Sequence, residues 1–249
     1  TMRLMAKYLD AMKGGYVIGP FTLAGLLMSA TEASMSTVTN PELLHQVLGF
    51  SAGVISRYAR ALDRAGADMI AILEPTASFL SPRAFAEFSG RYVAEIIESI
   101  KAIPILHICG QTTKLLDKMV ETGAQGLSLG EEVDFAAAAR RLPSDVVLMG
   151  NLDPVQVRDM TPNGVYKAAN DLLAAMEPFD NFILATGCDL PADTPLENIH
   201  ALMDAGRSFR RTGRPLARDV DAEMDDLTGV SEDVKAVIRR EARALPAAN

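Results

Sequence analysis

The side chains best suited to metal or nucleophilic chemistry in this chain are its two cysteines and one of its three histidines. His107 and Cys109 lie two positions apart at the end of an apolar run, and Cys188 directly follows another such run at 181–185. Side chains two apart on a strand point to the same face. One imidazole and two thiolates form a soft ligand set that suits tetrahedral Zn²⁺ and leaves a fourth position open. The alternative interpretation is that both cysteines are small buried hydrophobes and that His107 is a core histidine with its hydrogen bonds satisfied.

Strands and helices must position these residues, and the chain alternates short apolar runs with longer helical patterns. The predicted strands are 15–19, 68–73, 103–108, 126–129, 146–150 and 181–185. The predicted helices are 41–65, 82–101, 111–122, 132–141, 162–177 and 195–212. This alternation is typical of parallel strands joined by crossover helices, so the sequence indicates an α/β fold.

The starts of four predicted helices can be read from a shared dipeptide pattern. Asn40, Ser81, Thr161 and Thr194 each precede a proline. Such a side chain can cap the first helical turn, and proline is tolerated at the first helical position because its missing N–H needs no partner there. We therefore expect these four side chains to accept hydrogen bonds from the helices that follow.

Two α/β architectures fit the pattern: an open doubly wound sheet and a β/α barrel. The first predicted strand ends in Gly19-Pro20-Phe21, with no glycine-rich phosphate-binding motif after it. Because that motif is the signature of the nucleotide-binding open sheet, the barrel is favoured. In both architectures ligands bind at the carboxyl ends of the strands, where His107 and both cysteines are predicted to lie.

The charge balance and the cysteine count bear on partners and compartment. Lys and Arg number 24 against 32 Asp and Glu, for a net charge of −8. This argues against a nucleic-acid groove or an anionic-membrane surface, since both need concentrated positive charge. No stretch reaches the roughly 18 apolar residues of a membrane span, and two cysteines are too few for a disulfide framework. We therefore expect a cytoplasmic protein with neither nucleic-acid nor membrane partners.

The predicted domain organisation is a barrel domain, 1–216, followed by an acidic connector and a C-terminal helix, 217–249. The connector is acidic and weakly apolar, and Ser231 precedes the helical pattern over 232–245. We interpret this tail as a solvated connector with a docking helix. The chain begins with Thr1 and not with Met, from which we expect a processed or truncated piece.

Five short motifs resemble one protein family in their order and spacing. They are His107-Ile-Cys-Gly, Gly123-Ala-Gln-Gly-Leu-Ser-Leu, Gly150-Asn-Leu-Asp-Pro, Gly187-Cys-Asp-Leu-Pro and Thr194-Pro-Leu-Glu-Asn. Over about 15–215 the chain resembles the uroporphyrinogen decarboxylase superfamily. Within it the chain is most similar to the cobalamin-dependent methyltransferases, which include the methylcobalamin:coenzyme M type.

The resemblance implies a distorted (β/α)₈ TIM-like barrel that moves a methyl group between a corrinoid and a thiol-type acceptor such as coenzyme M. In these methyltransferases the residues matching His107, Cys109 and Cys188 are zinc ligands. Methylcobalamin is expected on a partner, a corrinoid carrier protein, because the chain lacks an Asp-x-His-x-x-Gly corrinoid-binding signature. The family's N-terminal section, with the first barrel strand, has no counterpart before Thr1.

Four further residues are candidates for the site. Glu74 ends the second predicted strand and is expected to face the cavity as a catalytic residue, with Asp153 as a second catalytic candidate. Asn151 is a candidate for cofactor binding, and Glu131, after the fourth strand, is a candidate fourth zinc ligand. The alternative for Glu131 is an acid that favours a helix start. The alternative for Asn151 and Asp153 is hydrogen bonding to the loop backbone.

Two other functions stay open at this point. The alternative enzyme is a metal-free uroporphyrinogen decarboxylase, although the resemblance gives such enzymes a histidine where this chain has Cys188. The alternative from another class is a non-catalytic module that docks a corrinoid protein. Bound zinc and thiol-dependent demethylation of methylcobalamin would separate these interpretations.

Overall fold

Six parallel strands form the sheet in the computed structural model, which describes residues 1–210. The strands are β1 (Gly14–Ile18), β2 (Met69–Leu73), β3 (Ile103–Ile108), β4 (Gly126–Leu129), β5 (Val147–Leu152) and β6 (Phe182–Thr186). Each strand pairs with the next one along the chain, in the order β1-β2-β3-β4-β5-β6. This is the strand order of a β/α barrel, whereas a doubly wound sheet reverses its order at a switch point. The structure therefore confirms the predicted α/β barrel-type fold and supplies six consecutive strands of it within these residues.

Helices connect the strands and cover the sheet. In residues 1–210 they are α1 (Met2–Tyr8), α2 (Pro20–Met28), α3 (Ala30–Thr39), α4 (Pro41–Arg64), α5 (Pro82–Phe85), α6 (Arg91–Glu98), α7 (Leu116–Val120), α8 (Phe135–Arg141), α9 (Pro154–Asp159), α10 (Pro162–Met176) and α11 (Leu196–Ser208). A 3₁₀ helix, Pro75–Phe79, follows β2, and a π-helical turn, Ala86–Gly90, joins α5 to α6.

Alternate residues of each strand face two different environments. In β3, Leu106 and Ile108 are completely buried in the main hydrophobic core, whereas Ile105 and His107 line an internal cavity. Side chains alternate between the two faces of a strand, so the periodicity of two separates core residues from cavity residues. It also places His107 on the cavity side.

The predicted strands are all present, and their bounds follow the apolar runs closely. β3 and β4 have the predicted bounds, and the ends of the other four strands shift by one or two residues. Parallel strands covered on both faces are apolar almost throughout, which makes their ends visible in the sequence.

The helices are predicted less completely than the strands. No helical pattern is apparent before Asn40, yet α2 and α3 fill most of the connection from β1 to α4. α2 is apolar almost throughout and α3 is rich in Ser and Thr, so neither shows the apolar stripe of a surface helix. α9 is likewise unpredicted, and the predicted helix 82–101 is interrupted by the π-helical turn.

Three of the four predicted caps are present. The side chains of Asn40, Ser81 and Thr161 each accept a hydrogen bond from a backbone N–H in the first turn of the next helix. The prediction for Thr194 is wrong, because its hydroxyl donates to the carbonyl of Pro191 at 2.7 Å. α11 begins only at Leu196, so Thr194 belongs to the preceding turn.

Contacts group Thr1–Gly206 into one compact unit and Arg207–Asn249 into a second. The structure describes the second unit only up to residue 210, so the predicted connector and C-terminal helix of 217–249 lie outside the described residues. Among the described helices, none combines the length and apolar character that crossing a bilayer requires.

Candidate metal centre

His107, Cys109 and Cys188 meet at the carboxyl end of the sheet. His107 is the penultimate residue of β3, Cys109 follows that strand, and Cys188 follows β6. The ligand atoms of the three side chains all lie within 4.8 Å of one another. The structure therefore brings together the three residues that the sequence selects as candidate metal ligands.

Ser128 orients the ring of His107. β3 and β4 pair these two residues in register, and the Nδ1 of His107 lies 3.0 Å from the Oγ of Ser128. The Nε2 on the other side of the ring lies 3.8 Å from the Sγ of Cys188. Burial lowers the pKa of His107, which favours the neutral ring. A neutral ring that donates through Nδ1 to Ser128 presents the Nε2 lone pair to the thiols, as metal-binding histidines do.

The two thiols lie close enough to affect each other. Burial, with a smaller contribution from the neighbouring Cys188, raises the pKa of the Cys109 thiol to about 11. Without a cation this thiol is protonated at neutral pH, whereas a bound divalent ion deprotonates a coordinating thiol. One imidazole and two thiols, half-buried and directed at one point, fit Zn²⁺ with three protein ligands.

Two cavities meet at the candidate centre, and Cys109 and Cys188 line both of them. The inner cavity, of about 320 Å³, lies among the strands; His107, Ser128, Thr186 and Asp189 line it together with apolar side chains. The outer cavity, of about 1250 Å³, is bounded by the 3₁₀ helix Pro75–Phe79 and by the loops that follow β3 and β4. A small molecule in the outer cavity can therefore reach the sulfur atoms of the centre.

Two cations in the wall of the outer cavity were not selected by sequence reasoning. Arg141 is already paired: it contacts the carboxylate of Asp117 at 2.5 Å and the carbonyl of Thr113 at 3.0 Å. Lys114 also lines the cavity, and within residues 1–210 its ammonium group has neither an ion-pair nor a hydrogen-bond partner. The only available sequence signal was its position shortly after the His-x-Cys motif.

Glu131 lies in the wall of the outer cavity, next to Glu132. It is exposed, and its carboxylate is outside the cluster of three ligand atoms. Its backbone and carboxylate closely approach Gly187, where an added Cβ would lie 2.7 Å from the Glu131 nitrogen and 2.8 Å from its Oε2. A glycine before Cys188 is therefore what allows the loop after β4 to lie against the loop after β6. The role of Glu131 as a fourth ligand stays a prediction.

Asn151 and Asp153 make the backbone hydrogen bonds that were the alternative interpretation for them. The side-chain amide of Asn151 donates to the carbonyls of Gly130 and Val133 at 3.0 and 2.7 Å, which ties the Glu131 loop to β5. Asp153 caps α9 by accepting from two backbone N–H groups of its first turn. Neither residue lines either of these two cavities, and their roles in cofactor binding and catalysis stay predictions.

Glu74 points away from both cavities, in contrast to the sequence-based expectation. It is completely buried, and its carboxylate accepts hydrogen bonds from the backbone N–H groups of Phe21 and Thr22 at 2.7 and 2.8 Å. Both N–H groups belong to the first turn of α2. Because no helix was predicted there, the sequence alone did not reveal these partners of Glu74. Burial raises the pKa of Glu74, and the hydrogen bonds that it accepts oppose that shift.

Comparison with known proteins shows which family the chain resembles. The family model described as uroporphyrinogen decarboxylase (URO-D) matches residues 1–209. The methylcobamide:CoM methyltransferase MtaA of Methanosarcina barkeri strain Fusaro is 33% identical over 194 residues, which cover 77% of this chain and 56% of that protein. A uroporphyrinogen decarboxylase of Nitrosomonas europaea is 30% identical over 203 residues, which cover 77% of this chain and 57% of the relative.

A solved structure shares the fold. A methyltransferase from Methanosarcina mazei superimposes with a TM-score of 0.77 at 29% identity, over 84% of this chain and 62% of that one. The chain thus spans less than two thirds of the length of each of these relatives.

Proposed function

The chain belongs to the uroporphyrinogen decarboxylase family, and we propose that it transfers a methyl group between the corrinoid of a carrier protein and a thiol acceptor such as coenzyme M. The observation that carries the proposal is the convergence of His107, Cys109 and Cys188, whose ligand atoms lie within 4.8 Å of one another. Metal-free decarboxylation has no use for an imidazole and two thiols directed at one point, whereas such a set holds a catalytic zinc ion that can activate a thiol. Similarity to a methylcobamide:CoM methyltransferase supports the same reaction class.

Each residue of the centre has a defined task in this proposal. His107, Cys109 and Cys188 would hold a zinc ion, which when bound would keep the sulfur of the acceptor deprotonated at neutral pH. Ser128 fixes the ring of His107 through Nδ1, 3.0 Å from its hydroxyl. Glu131, in the cavity wall beside Cys188, is our candidate for a carboxylate that occupies the fourth position until the acceptor arrives.

The transfer itself is a displacement at the methyl carbon. The acceptor sulfur would form a bond to the methyl carbon of the donor as the cobalt–carbon bond breaks, and the electron pair of that bond would stay with the corrinoid that the carrier protein supplies. The outer cavity, which reaches Cys109 and Cys188, is the side from which the carrier would present the methyl group. Orientation of reactants contributes up to about 7–11 kcal/mol in well-oriented systems, so the residues that line the outer cavity would contribute to the rate by positioning the acceptor.

Lys114 bears on the class of acceptor. Lys114 lines the outer cavity with Cys109 and Cys188, and its ammonium group lacks a partner within residues 1–210. An acceptor thiol with an anionic group at its other end, as coenzyme M has in its sulfonate, would pair with this cation while its sulfur reaches the centre.

The thiols of Cys109 and Cys188 must stay reduced for this chemistry, which fits the expectation of a cytoplasmic protein.

Metal analysis and a demethylation assay on the full chain test the proposal. We expect about one zinc per chain, and loss of methylcobalamin absorbance under anaerobic conditions only when coenzyme M is present. Cys188→Ala should lose both the zinc and the turnover. Consumption of uroporphyrinogen without metal would favour the decarboxylase, and zinc binding without methyl transfer would favour a docking module.

A further inference from the structure

The buried carboxylate of Glu74 connects elements that surround the candidate metal centre. Besides the two N–H groups of α2, it accepts a hydrogen bond from the Ser89 hydroxyl in the π-helical turn at 2.8 Å. The backbone N–H of Glu74 donates to the carbonyl of His107 at 2.9 Å. One residue therefore contacts the start of α2, the π-helical turn and the backbone of a candidate metal ligand.

We propose that Glu74 is a positioning residue that holds the wall of the outer cavity in place through the first turn of α2. The wall segment is Pro75–Phe79, which follows Glu74 directly and contributes four residues to the cavity lining. The proposal assigns a role to a residue beside the site of the proposed methyl transfer. It rests on that function only where enzyme kinetics are used to test it.

Hydrogen bonds hold the wall segment together and join it to α2 beside Glu74. The carbonyl of Glu74 accepts from the N–H of Ala77 at 3.0 Å, within the wall segment itself. The N–H of Thr76 donates to the hydroxyl of Thr22 at 3.2 Å, and the N–H of Thr22 donates to the Glu74 carboxylate. Displacement of the carboxylate would therefore release the first turn of α2 and the wall together.

The pocket around the carboxylate is shaped for this side chain. An added Cβ on Gly19 would lie 2.1 Å from the Oε2 of Glu74, so the carboxylate occupies the space that a larger residue at position 19 would need. Three donors converge on its two oxygens, namely two backbone N–H groups and the hydroxyl of Ser89. An ionised carboxylate, which only accepts, suits three donors at a helix N-terminus.

This donor arrangement makes Glu74→Gln an informative substitution. The glutamine has nearly the same shape, but its NH₂ group would face one of the converging N–H groups, donor against donor. Hydrogen bonds to charged groups are worth about 1.5–3 kcal/mol, so local opening of the wall should become at least about tenfold more frequent. The zinc ligands are held by β3 and β6 and should be unaffected.

Hydrogen exchange of the full-length protein tests this directly. In Glu74→Gln we expect faster exchange confined to peptides covering 19–25 and 75–80, with unchanged exchange in peptides from β4 to β6. The matched control is Asp134→Asn, which removes the charge of the carboxylate that caps α8, at a residue that lines neither cavity, and it should leave exchange in both peptides unchanged. An even rise across the sheet, or no rise in 75–80, would overturn the proposal.

Kinetics separate positioning from a merely structural role. Glu74→Gln should retain about one zinc per chain and raise KM for the acceptor more than it lowers kcat, because the wall and not the centre has changed. If Glu74→Gln does not fold, Ser89→Ala tests the proposal, because it removes one of the three donors. A smaller rise in exchange, confined to the same peptides, would support the proposal. Unchanged exchange in those peptides would refute it. If the wild type shows no methyl transfer at all, the proposed function fails, while the exchange result still tests the positioning.

Discussion

The Nε2 of His107 and the Sγ of Cys188 lie 3.8 Å apart, although 81 positions separate them in the chain. Their strands, β3 and β6, are not neighbours, since β4 and β5 lie between them in the sheet. The short distance arises because the sheet curves and the two carboxyl ends approach each other across the inner cavity. A centre of this kind forms only when the curved sheet is complete from β3 to β6.

Ser128→Ala should weaken zinc binding by about 10–100-fold, because the Nδ1 of His107 loses the oxygen that orients its ring. Competition with a chromophoric chelator measures the change. Ser99→Ala is the control, since the Ser99 hydroxyl donates to the carbonyl of Ile96 and lies outside both cavities. Equal zinc affinity in wild type and Ser128→Ala would show that Ser128 does not orient the ligand.

Glu131→Gln should change the absorption bands of the Co²⁺-substituted protein if Glu131 is a fourth ligand, because an amide is a much weaker ligand than a carboxylate. The neighbouring Glu132→Gln is the matched control, as both side chains line the outer cavity and both substitutions remove one charge. Identical spectra for wild type and both variants would remove Glu131 from the coordination sphere.

Gly187→Ala should destabilise the protein by about 1–3 kcal/mol and lower its zinc affinity, because the new methyl group would lie 2.7 Å from the Glu131 nitrogen. Urea denaturation and chelator competition measure the two effects. Gly53→Ala in α4 is the control: its Cβ would meet no atom within 4 Å, so helix propensity should stabilise the protein by up to about 1 kcal/mol. Equal stability of wild type and Gly187→Ala would contradict the close packing of the two loops.

Lys114→Ala should raise KM for coenzyme M about tenfold, as expected for loss of a charge-assisted hydrogen bond, with little change in kcat. The neutral analogue 2-mercaptoethanol should be used equally well by wild type and variant. Lys118→Ala is the control, because Lys118 pairs with Glu121 and is absent from the cavity wall. An equal effect on both thiols would mean that Lys114 does not recognise the anionic group.

Removal of zinc by a chelator should leave the fold intact while abolishing methyl transfer. The strands carry a continuous hydrophobic core, in which Ile72, Leu106 and Leu127 are fully buried without any contribution from the centre. Circular dichroism should therefore show an unchanged spectrum and a cooperative thermal transition at a lower midpoint, since a ligand that binds only the native state stabilises it. Unfolding on chelation would instead make the centre a structural one.

Much of the fold can be predicted from the sequence because parallel, doubly covered strands are apolar over their whole length. β3 and β4 begin and end where their apolar runs do. α2 and α3 cannot be predicted in this way, since their stability comes from packing against each other, α4 and the 3₁₀ helix Pro75–Phe79. Local sequence carries little information on such contacts.

For the candidate site, the sequence by itself determined the ligand types and their strand ends: His107 and Cys109 by their spacing of two, and Cys188 by its place after the last apolar run. Only the tertiary structure shows the direction of the side chains of Glu74, Asn151 and Asp153. Glu74 also follows a strand, but its carboxylate turns to the N–H groups of α2, because a buried charge is stable only where donors surround it. The strand pattern encodes which residues reach the rim of the sheet, whereas the direction of each side chain depends on partners from distant parts of the chain.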